Sequence, residues 1–178
     1  MIRLFAALPL PAEIVQGLTR RQVGVDAARW RPPESLHLTL RFFGDVREDV
    51  ARDLDAELAA IDASPFEIVL EGAGAFGEGR DIHAIWAGVE ESPLLRRLAD
   101  ACETAARRVG LKPERRRYKP HVTLAYLRQA DPAHVAAWIQ ANNLLKSPHF
   151  AVDRFALYSS VLGGEGSHYR IEAEYPLG

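Results

Sequence analysis

Residues 31–40 read RPPESLHLTL, and residues 115–124 read RRRYKPHVTL. Both stretches place His-x-Thr-Leu shortly after a proline and after positively charged residues. In a chain with six histidines, one such match would carry little weight, because a lone histidine on a strand is usually an ordinary polar residue. Two matches with similar flanks predict two structurally equivalent strands, each built around its histidine.

The elements around the two motifs follow a similar order in both halves of the chain, roughly βαβαββ and then αβαββ. This coarse internal repeat predicts two α+β lobes, one from each half. We therefore predict one bilobed α+β domain over residues 1–178, with two pseudo-symmetric lobes that each have a largely antiparallel sheet and outer helices, and with the active site in the cleft between them. The predicted strands are 2–8, 36–43, 66–70, 82–89, 121–127, 150–160 and 168–174, and the predicted helices are 11–23, 47–61, 92–109 and one that begins at Asp131-Pro132.

Glycine-rich stretches are predicted to connect strands. EGAGAFGEGR, residues 71–80, lacks the following helix that a phosphate-binding GxGxxG loop requires, so it is interpreted as a loop between two strands. Gly44-Asp45 is predicted to close the first motif strand. LGGEGS, residues 162–167, is predicted to be a flexible turn between the last two strands.

Composition is typical of a globular protein that needs no disulfide. Hydrophobic residues make up 48% of the chain and charged residues 26%, and the one cysteine, Cys102, falls in an apolar helical stretch. No stretch approaches the roughly 20 apolar residues of a membrane span. The apolar start is interrupted by Pro9 and Pro11, unlike a secretion signal. The expectation is a soluble, cytoplasmic protein that does not associate with membranes and is a monomer.

The net charge of −2 does not by itself indicate a nucleic-acid partner, but the distribution of charge is informative. Residues 107–119, here called the basic stretch, hold seven basic side chains against one acid, Glu114. An isolated cluster of this kind would be read as a solvated loop. Its position directly before His121 instead favours a role in binding a polyanion such as RNA.

Side chains alternate across a strand, so the two faces of each motif have different characters. His37 and Thr39 are predicted to share one face, while Leu38 and Leu40 point into a core. Arg41 is predicted to lie on the face of His37 and Thr39, where it would add positive charge. If the lobes pack with pseudo-twofold symmetry, the polar faces of the two motifs line one cleft around a small anion.

Two imidazoles suit in-line attack at phosphorus without a metal ion. One takes a proton from the attacking oxygen while the other gives a proton to the leaving oxygen, and an ordinary pKa of about 6.5 lets both protonation states coexist near neutral pH. The hydroxyls of Thr39 and Thr123 can donate to non-bridging phosphate oxygens. No CxxC, HExxH or similar ligand spacing indicates a zinc site. We predict neither a metal nor another cofactor.

The paired motifs and their flanks resemble those of the 2H phosphoesterase superfamily, named for two HxTx or HxSx motifs. Within it, the chain is similar to the bacterial RNA 2′,3′-cyclic phosphodiesterases, historically called 2′-5′ RNA ligases. The resemblance lies in LFAALPLP, WRPPESLHLTLRFFGDV, IWAGVE and YKPHVTLAYL. It implies metal-independent opening of an RNA-terminal 2′,3′-cyclic phosphate to a 2′-phosphate. By motif position it implies that His37 is the proton donor to the leaving 3′ oxygen and His121 the proton acceptor that activates water.

The chain departs from its relatives after the second motif. Relatives often carry an arginine shortly after that motif, whereas here Ala125 and Tyr126 come first and the arginine is Arg128. His83 stands where relatives commonly have another arginine. The predicted substrate-binding residues are Thr39, Thr123, Arg41 and Arg128.

The expected partners are RNA ends or small cyclic nucleotides, and two other functions remain open. The first is a 2H phosphoesterase with another substrate: a 2′-5′ oligonucleotide, an ADP-ribose cyclic phosphate, or RNA halves joined in the reverse reaction. The second is a non-catalytic RNA-binding module, in which the basic stretch and aromatic strands grip a strand end. The matched histidines and hydroxyls argue against the second, because binding alone needs no acid and base.

Overall fold

The computed structural model describes residues 1–164 and 166–178. Over these residues the chain forms ten strands and four α-helices, so the α+β class is confirmed. The strands are β1 Ile2–Pro9, β2 Ala28–Trp30, β3 His37–Val46, β4 Phe66–Ile68, β5 Leu70–Phe76, β6 Ala84–Val89, β7 His121–Leu127, β8 Phe150–Val152, β9 Arg154–Gly163 and β10 Gly166–Pro176. The helices are α1 Ala12–Thr19, α2 Glu48–Ala59, α3 Pro93–Arg108 and α4 Pro132–Asn142.

The strands form two antiparallel four-stranded sheets and one two-stranded ribbon. The first sheet has the order β10-β9-β1-β3, the second has the order β2-β7-β6-β5, and β4 pairs with β8. Each half of the chain therefore gives its late strands to the sheet of the other half, since β9 pairs with β1 and β6 pairs with β7. Helix α3, from the second half, packs on β3 of the first sheet. The predicted antiparallel sheets are confirmed, but each combines strands of both halves, and this pairing covers strand edges that a separate lobe from each half would expose.

The motif strands β3 and β7 break regular alternation at the same place. In β3, Leu40 is an extra residue opposite the Ala6–Ala7 step of β1, and in β7, Leu124 is an extra residue opposite the Ile85–Trp86 step of β6. Such a β-bulge moves the side chains that follow it to the opposite face. The first seven residues of both strands consequently show one burial pattern: half-buried, buried, half-buried, buried, buried, exposed, buried. The two motif strands are equivalent in backbone, including this irregularity.

Strand β5 occupies most of the stretch predicted to be a glycine-rich loop, so that prediction was wrong. Gly74 lies opposite Trp86 of β6, and a Cβ on Gly74 would come within 2.4 Å of the Trp86 ring. The glycine is required here because the indole fills the space of a side chain, not because the backbone turns. Gly44 likewise does not end β3, because its φ of 79° lies at a second bulge and the strand continues to Val46.

All four helices begin within one residue of the predicted start. Ser92 Oγ accepts a hydrogen bond from the Leu95 N–H at the start of α3 (3.2 Å), and Asp131 Oδ1 accepts one from the Ala133 N–H at the start of α4 (2.9 Å). Helix α1 ends four residues before the predicted end. There the N–H groups of residues 21 and 22 bond to carbonyls three residues back rather than four, which tightens and ends the helix.

Two further differences concern the strands. The predicted strand 150–160 is divided at Asp153 into β8, which pairs with β4, and β9, which joins the first sheet. Strand β2 was not predicted, because three residues are too few to show a period. The predicted turn at 162–167 includes residue 165, which lies outside the described residues.

Two clusters of buried side chains stabilise the fold. The larger contains the leucines and valines of the motif strands together with residues of all four helices. The smaller lies on the other face of the first sheet and consists of Phe5, Ala7, Ala156 and Tyr158. Cys102 is fully buried in the larger cluster, and burial raises the pKa of its thiol to about 12, as expected of an unreactive core residue. None of the helices in the described residues is both long and apolar enough to cross a membrane.

Candidate active site

The two motif histidines are held by the same local contact. His37 Nδ1 lies 2.8 Å from the carbonyl oxygen of Ser35, and His121 Nδ1 lies 2.7 Å from that of Lys119. A carbonyl oxygen only accepts, so each Nδ1 carries a proton and donates it. In both rings, Nε2 is therefore the nitrogen that can gain or lose a proton. The backbone fixes the tautomer and orientation of both imidazoles.

The structure brings the two histidines together at the junction of the sheets. Strands β3 and β7 lie against each other there. Tyr118 Oη donates to the carbonyl oxygen of Thr39 over 2.9 Å, which ties the segment before β7 to β3. A positive charge on His121 lowers the pKa of His37, so the rings lie within electrostatic reach of each other. The two motifs are therefore neighbours in the folded chain.

Aromatic rings enclose His37 on the smaller cluster of the first sheet. Its ring stacks on Phe5 at a centroid distance of 4.8 Å, and Tyr169 meets it edge-on at 5.2 Å. Tyr158 lies parallel at 6.0 Å. The free nitrogen, Nε2, lies 3.1 Å from Thr39 Oγ1. When His37 is neutral, its Nε2 accepts this bond and the threonine hydroxyl donates it.

This enclosure changes the acidity of His37. Burial is the largest influence and lowers its pKa to about 4, because it disfavours the charged ring. The bond to the Ser35 carbonyl opposes the shift, while the positive charges of Arg31 and His121 add to it. His37 is therefore neutral at pH 7 in the unliganded protein.

The surroundings of His121 are also aromatic but include a cation. Phe76 meets the His121 ring edge-on at 4.8 Å, and Trp86 lies at 6.2 Å. The ammonium of Lys119 lies 4.6 Å from the centroid of Trp86. Burial lowers the pKa of His121, the Lys119 charge lowers it further, and the bond to the Lys119 carbonyl opposes both. Trp86 Nε1 is buried without a hydrogen-bond acceptor among the described residues.

The two motif threonines occupy equivalent positions. Thr39 and Thr123 are both half-buried, and each lies directly before the bulge of its strand. Each therefore shares the face of its histidine, as alternation predicts over this short run. The structure brings Thr39 and Thr123 to the same junction as the histidines.

Arg41 is not on that face, so its predicted position was wrong. The bulge at Leu40 turns Arg41 to the core side, where its side chain is 9% exposed. Its guanidinium pairs with Glu103 and donates to the carbonyl oxygens of Phe42 and Lys112, the latter at 2.7 Å. Arg41 anchors the basic stretch to the first sheet and is not available to a ligand.

Arg128 also lies apart from the histidines. It follows the end of β7, and its side chain is exposed. Because the bulge at Leu124 shifts the alternation, the residue on the solvent side of β7 is Tyr126, whose side chain is 42% exposed. The structure does not bring Arg128 into the set formed by the histidines and threonines.

The sequence missed the residues that line the junction from outside the motifs. They are contributed by strands of both sheets, and the short β2 and the β9–β10 pair gave no signal for them. Lys119 was predicted only as part of the basic stretch. The added residues are Phe5, Arg31, Lys119, Tyr126, Tyr158 and Tyr169.

The basic stretch has a fixed part and an exposed part. Its fixed part includes Lys112, held through its carbonyl by Arg41, and Glu114, whose N–H donates to Glu103 at 3.1 Å. Its exposed part is 115–117, three arginines in succession. The middle one pairs with Glu114 at 3.5 Å, and none of the three is buried. This part presents positive charge to solvent close to the second motif.

No three or more His, Cys, Asp or Glu side chains of the described residues are grouped so as to hold a metal ion. The two motif histidines are flanked by aromatic rings, hydroxyls and cations rather than by carboxylates. The chemistry that this arrangement supports is proton exchange at two Nε2 atoms around a bound anion.

Comparisons with known proteins agree with the paired motifs. A profile described as the 2′-5′ RNA ligase superfamily matches residues 9–164. The chain is 34% identical to the RNA 2′,3′-cyclic phosphodiesterase of Thermus thermophilus, over 99% of this chain and 90% of that protein. It is 33% identical to the Escherichia coli protein of the same name, over 89% of this chain and 86% of that protein. Its fold matches that of E. coli LigT complexed with 3′-AMP, with a TM-score of 0.81 and 28% identity over 99% and 98% of the two chains. The resemblance seen in the sequence is confirmed, and the chain belongs to the 2′-5′ RNA ligase superfamily.

Proposed function

We propose that this protein hydrolyses RNA-terminal 2′,3′-cyclic phosphates to 2′-phosphates without a metal ion. The observation that carries this proposal is the matched pair of imidazoles. His37 and His121 each donate Nδ1–H to a carbonyl two residues back, and each keeps Nε2 for proton exchange at the same junction. Binding alone would not require two rings with the same fixed tautomer.

In the proposed reaction, His121 Nε2 takes a proton from water as the water oxygen attacks phosphorus. The bond between phosphorus and the 3′ oxygen breaks, and His37 Nε2–H gives its proton to that oxygen. The products are a 2′-phosphate and a free 3′-hydroxyl, and the two histidines have exchanged protonation states. The hydroxyls of Thr39 and Thr123 donate to the non-bridging oxygens, where negative charge builds up in the transition state.

The low pKa of His37 sets a condition on its role as donor. A donor must be protonated, whereas His37 is neutral at pH 7 in the free protein because its pKa is about 4. A bound cyclic phosphate brings a negative charge beside both rings, which favours the imidazolium and raises both pKa values. His121, whose pKa lies below its ordinary value, is neutral at pH 7, as an acceptor must be. The donor is therefore expected to gain its proton together with the substrate.

The relatives support an RNA end as the substrate. The Thermus thermophilus and E. coli proteins are named RNA 2′,3′-cyclic phosphodiesterases, and the similar LigT structure was solved with 3′-AMP. The exposed arginines at 115–117 supply the positive charge that a polynucleotide backbone would meet next to the second motif.

The test is an assay of the purified protein in EDTA on an oligonucleotide ending in a 2′,3′-cyclic phosphate, beside cyclic mononucleotides and a 2′-5′ oligonucleotide. We expect turnover to a 2′-phosphate at the same rate with and without EDTA. Activity abolished by EDTA and restored by zinc or manganese would contradict the metal-independent reaction. Tight binding of the oligonucleotide without turnover would instead identify an RNA-binding module.

A further inference from the structure

Two arginine side chains are almost fully buried, and their partners differ. Arg31 and Arg41 are each 9% exposed. Arg41 has a carboxylate and two carbonyl oxygens as acceptors, whereas Arg31 donates from Nη2 to the Tyr169 hydroxyl at 3.3 Å. None of the ion pairs among residues 1–164 and 166–178 includes Arg31. A guanidinium has five N–H donors and keeps its charge in proteins, so Arg31 holds a buried charge with donors to spare.

Arg31 lies where the two sheets meet. The backbone N–H of Arg31 donates to the carbonyl oxygen of Leu124, at the bulge of β7, over 2.8 Å. Gln22 Nε2 donates to the Arg31 carbonyl over 2.8 Å and fixes the backbone from the other side. The guanidinium lies 5.3 Å from the ring centroid of Tyr126 on β7 and 5.6 Å from that of Tyr169 on β10. The cation is thus held between an aromatic ring of each sheet.

This position is next to the first motif. Tyr169, the hydroxyl partner of Arg31, packs edge-on against His37 at 5.2 Å. The charge of Arg31 also acts on the His37 ring, since it helps to lower the pKa of that imidazole. A planar guanidinium with unused donors beside an acid–base pair suits a phosphate oxyanion, which accepts several N–H bonds in one plane.

We propose that Arg31 binds the reacting phosphate through its non-bridging oxygens, with Tyr126 and Tyr169 holding the guanidinium in place. The proposal rests on the proposed function, because that function places a phosphate beside Nε2 of His37. Arg31 then supplies the positive charge that the sequence had suggested for Arg41.

A binding role of this kind has a consequence that a packing role lacks. The cyclic diester carries one negative charge, whereas inorganic phosphate and the 2′-phosphate product carry between one and two near neutral pH. Loss of the Arg31 charge should therefore weaken the binding of inorganic phosphate at least as much as it weakens the binding of substrate. A residue that only packed β2 against β10 would change stability and leave phosphate affinity unaltered.

Two substitutions at this position and one matched control separate these roles. Arg31→Gln removes the charge, and Arg31→Lys keeps the charge but loses the planar fork of donors. Arg52→Gln makes the same change in net charge on the exposed side of α2, away from the motif strands. For each variant, calorimetry with inorganic phosphate gives a binding constant without turnover, thermal melting checks folding, and a cyclic-phosphate assay gives kcat/KM.

We expect Arg31→Gln to weaken phosphate binding and to lower kcat/KM, each by about 10- to 100-fold, as for a lost hydrogen bond to a charged group. Both values for Arg31→Lys should lie between those of this variant and the wild type. Arg52→Gln should stay within about twofold of wild type, because Arg52 is exposed and salt screens its charge. A folded Arg31→Gln protein with wild-type phosphate affinity would overturn the proposal.

If Arg31→Gln does not fold, Arg31→Lys tests the proposal instead. Unchanged phosphate affinity in that variant would equally overturn the proposed role of Arg31. A wild-type protein that binds phosphate through Arg31 but opens no cyclic phosphate would support this anion site and contradict the proposed function. The two proposals can therefore fail separately.

Discussion

Strands β3 and β7 have the same backbone and different surroundings. Each begins with a histidine whose Nδ1–H bonds to a carbonyl two residues back, and each has a bulge at the leucine that follows its threonine. Directly after the bulge, the same core-facing position holds Arg41 in β3 and Ala125 in β7. On the solvent side the next position holds Phe42 in one strand and Tyr126 in the other.

The difference is what the two proposed roles of the histidines require of a repeated backbone. His37 is enclosed by Phe5, Tyr158 and Tyr169, while His121 has Lys119, the last residue of the basic stretch, beside it. An acid and a base must bind their protons differently, and two identical environments would not provide this. The backbone repeat places the two imidazoles, and the residues that are not repeated distinguish them.

The largest expected effect comes from removing either histidine. His37→Ala and His121→Ala should each lower kcat/KM by about 10²- to 10⁴-fold, the usual cost of losing a general acid or base. Both side chains are half-buried rather than part of the core, so melting temperatures should change little. His149→Ala, at an exposed position before β8, is the control and should behave as wild type. Near wild-type turnover in either motif variant would remove that histidine from the mechanism.

The second comparison is between Arg41 and its counterpart Ala125. Arg41→Met should lower the free energy of unfolding by about 3 kcal/mol, because it leaves the Glu103 carboxylate with Arg107 as its remaining cation and removes the donor to the Phe42 and Lys112 carbonyls. In urea titrations the double variant Arg41→Met/Glu103→Gln should recover part of this loss, since the negative charge that Arg41 had paired is then gone. kcat/KM of folded Arg41→Met should stay within a few-fold of wild type. A stable Arg41→Met protein with strongly reduced kcat/KM would show that Arg41 contacts substrate after all.

The smallest effect concerns the basic stretch, which accompanies β7 and has no counterpart before β3. Changing the arginines at 115–117 to glutamine should raise KM for an oligonucleotide and leave turnover at saturation unchanged. If each arginine meets one phosphate, the log–log salt slope should fall by about 2, since each contact to a single strand contributes about 0.7. The control changes three exposed arginines outside the basic stretch, Arg20, Arg52 and Arg97. Equal KM values and equal salt slopes in the two triple variants would indicate that the basic stretch is a solvated loop without a role in RNA binding.

The parts of the site that the sequence predicted are those with a local pattern. The alternation in His-x-Thr placed each histidine and threonine on one face, and β7 was predicted at its observed bounds. That reasoning failed one residue past the threonine, because no local pattern marks the bulge at Leu40 and the alternation reverses there. Arg41 was misplaced for this reason alone.

The parts that were not predicted depend on contacts between distant segments. Arg31 follows a three-residue strand that exists only because it pairs with β7, so no period marked it. The strand in the glycine-rich stretch depends on Trp86 lying over Gly74, a contact that requires β5 and β6 to be paired first. Exchange of strands between the halves is likewise a property of the assembled sheets.

The pH dependence of kcat/KM, for the wild type and the two histidine variants, tests most directly whether two unlike imidazoles act as acid and base. Burial and nearby positive charge lower the pKa of His37 to about 4 and place that of His121 below its ordinary value. Activity should fall at low pH because the base becomes protonated, and at high pH because the acid loses its proton. In the free enzyme both limbs of the bell should lie below about pH 6.5, which is the ordinary pKa of histidine. The apparent values belong to the coupled pair.

Each histidine variant should lose one limb of the bell-shaped profile. His37→Ala should lose the fall at high pH, since no donor remains to be deprotonated, and His121→Ala should lose the fall at low pH, since no base remains to be protonated. An anionic substrate raises both pKa values, so the kcat profile should lie at higher pH than that of kcat/KM. Exchanged limbs in the variants would reverse the roles of His37 and His121. A wild-type rate that rises steadily with pH, with neither a plateau nor a fall, would contradict the two-histidine mechanism itself.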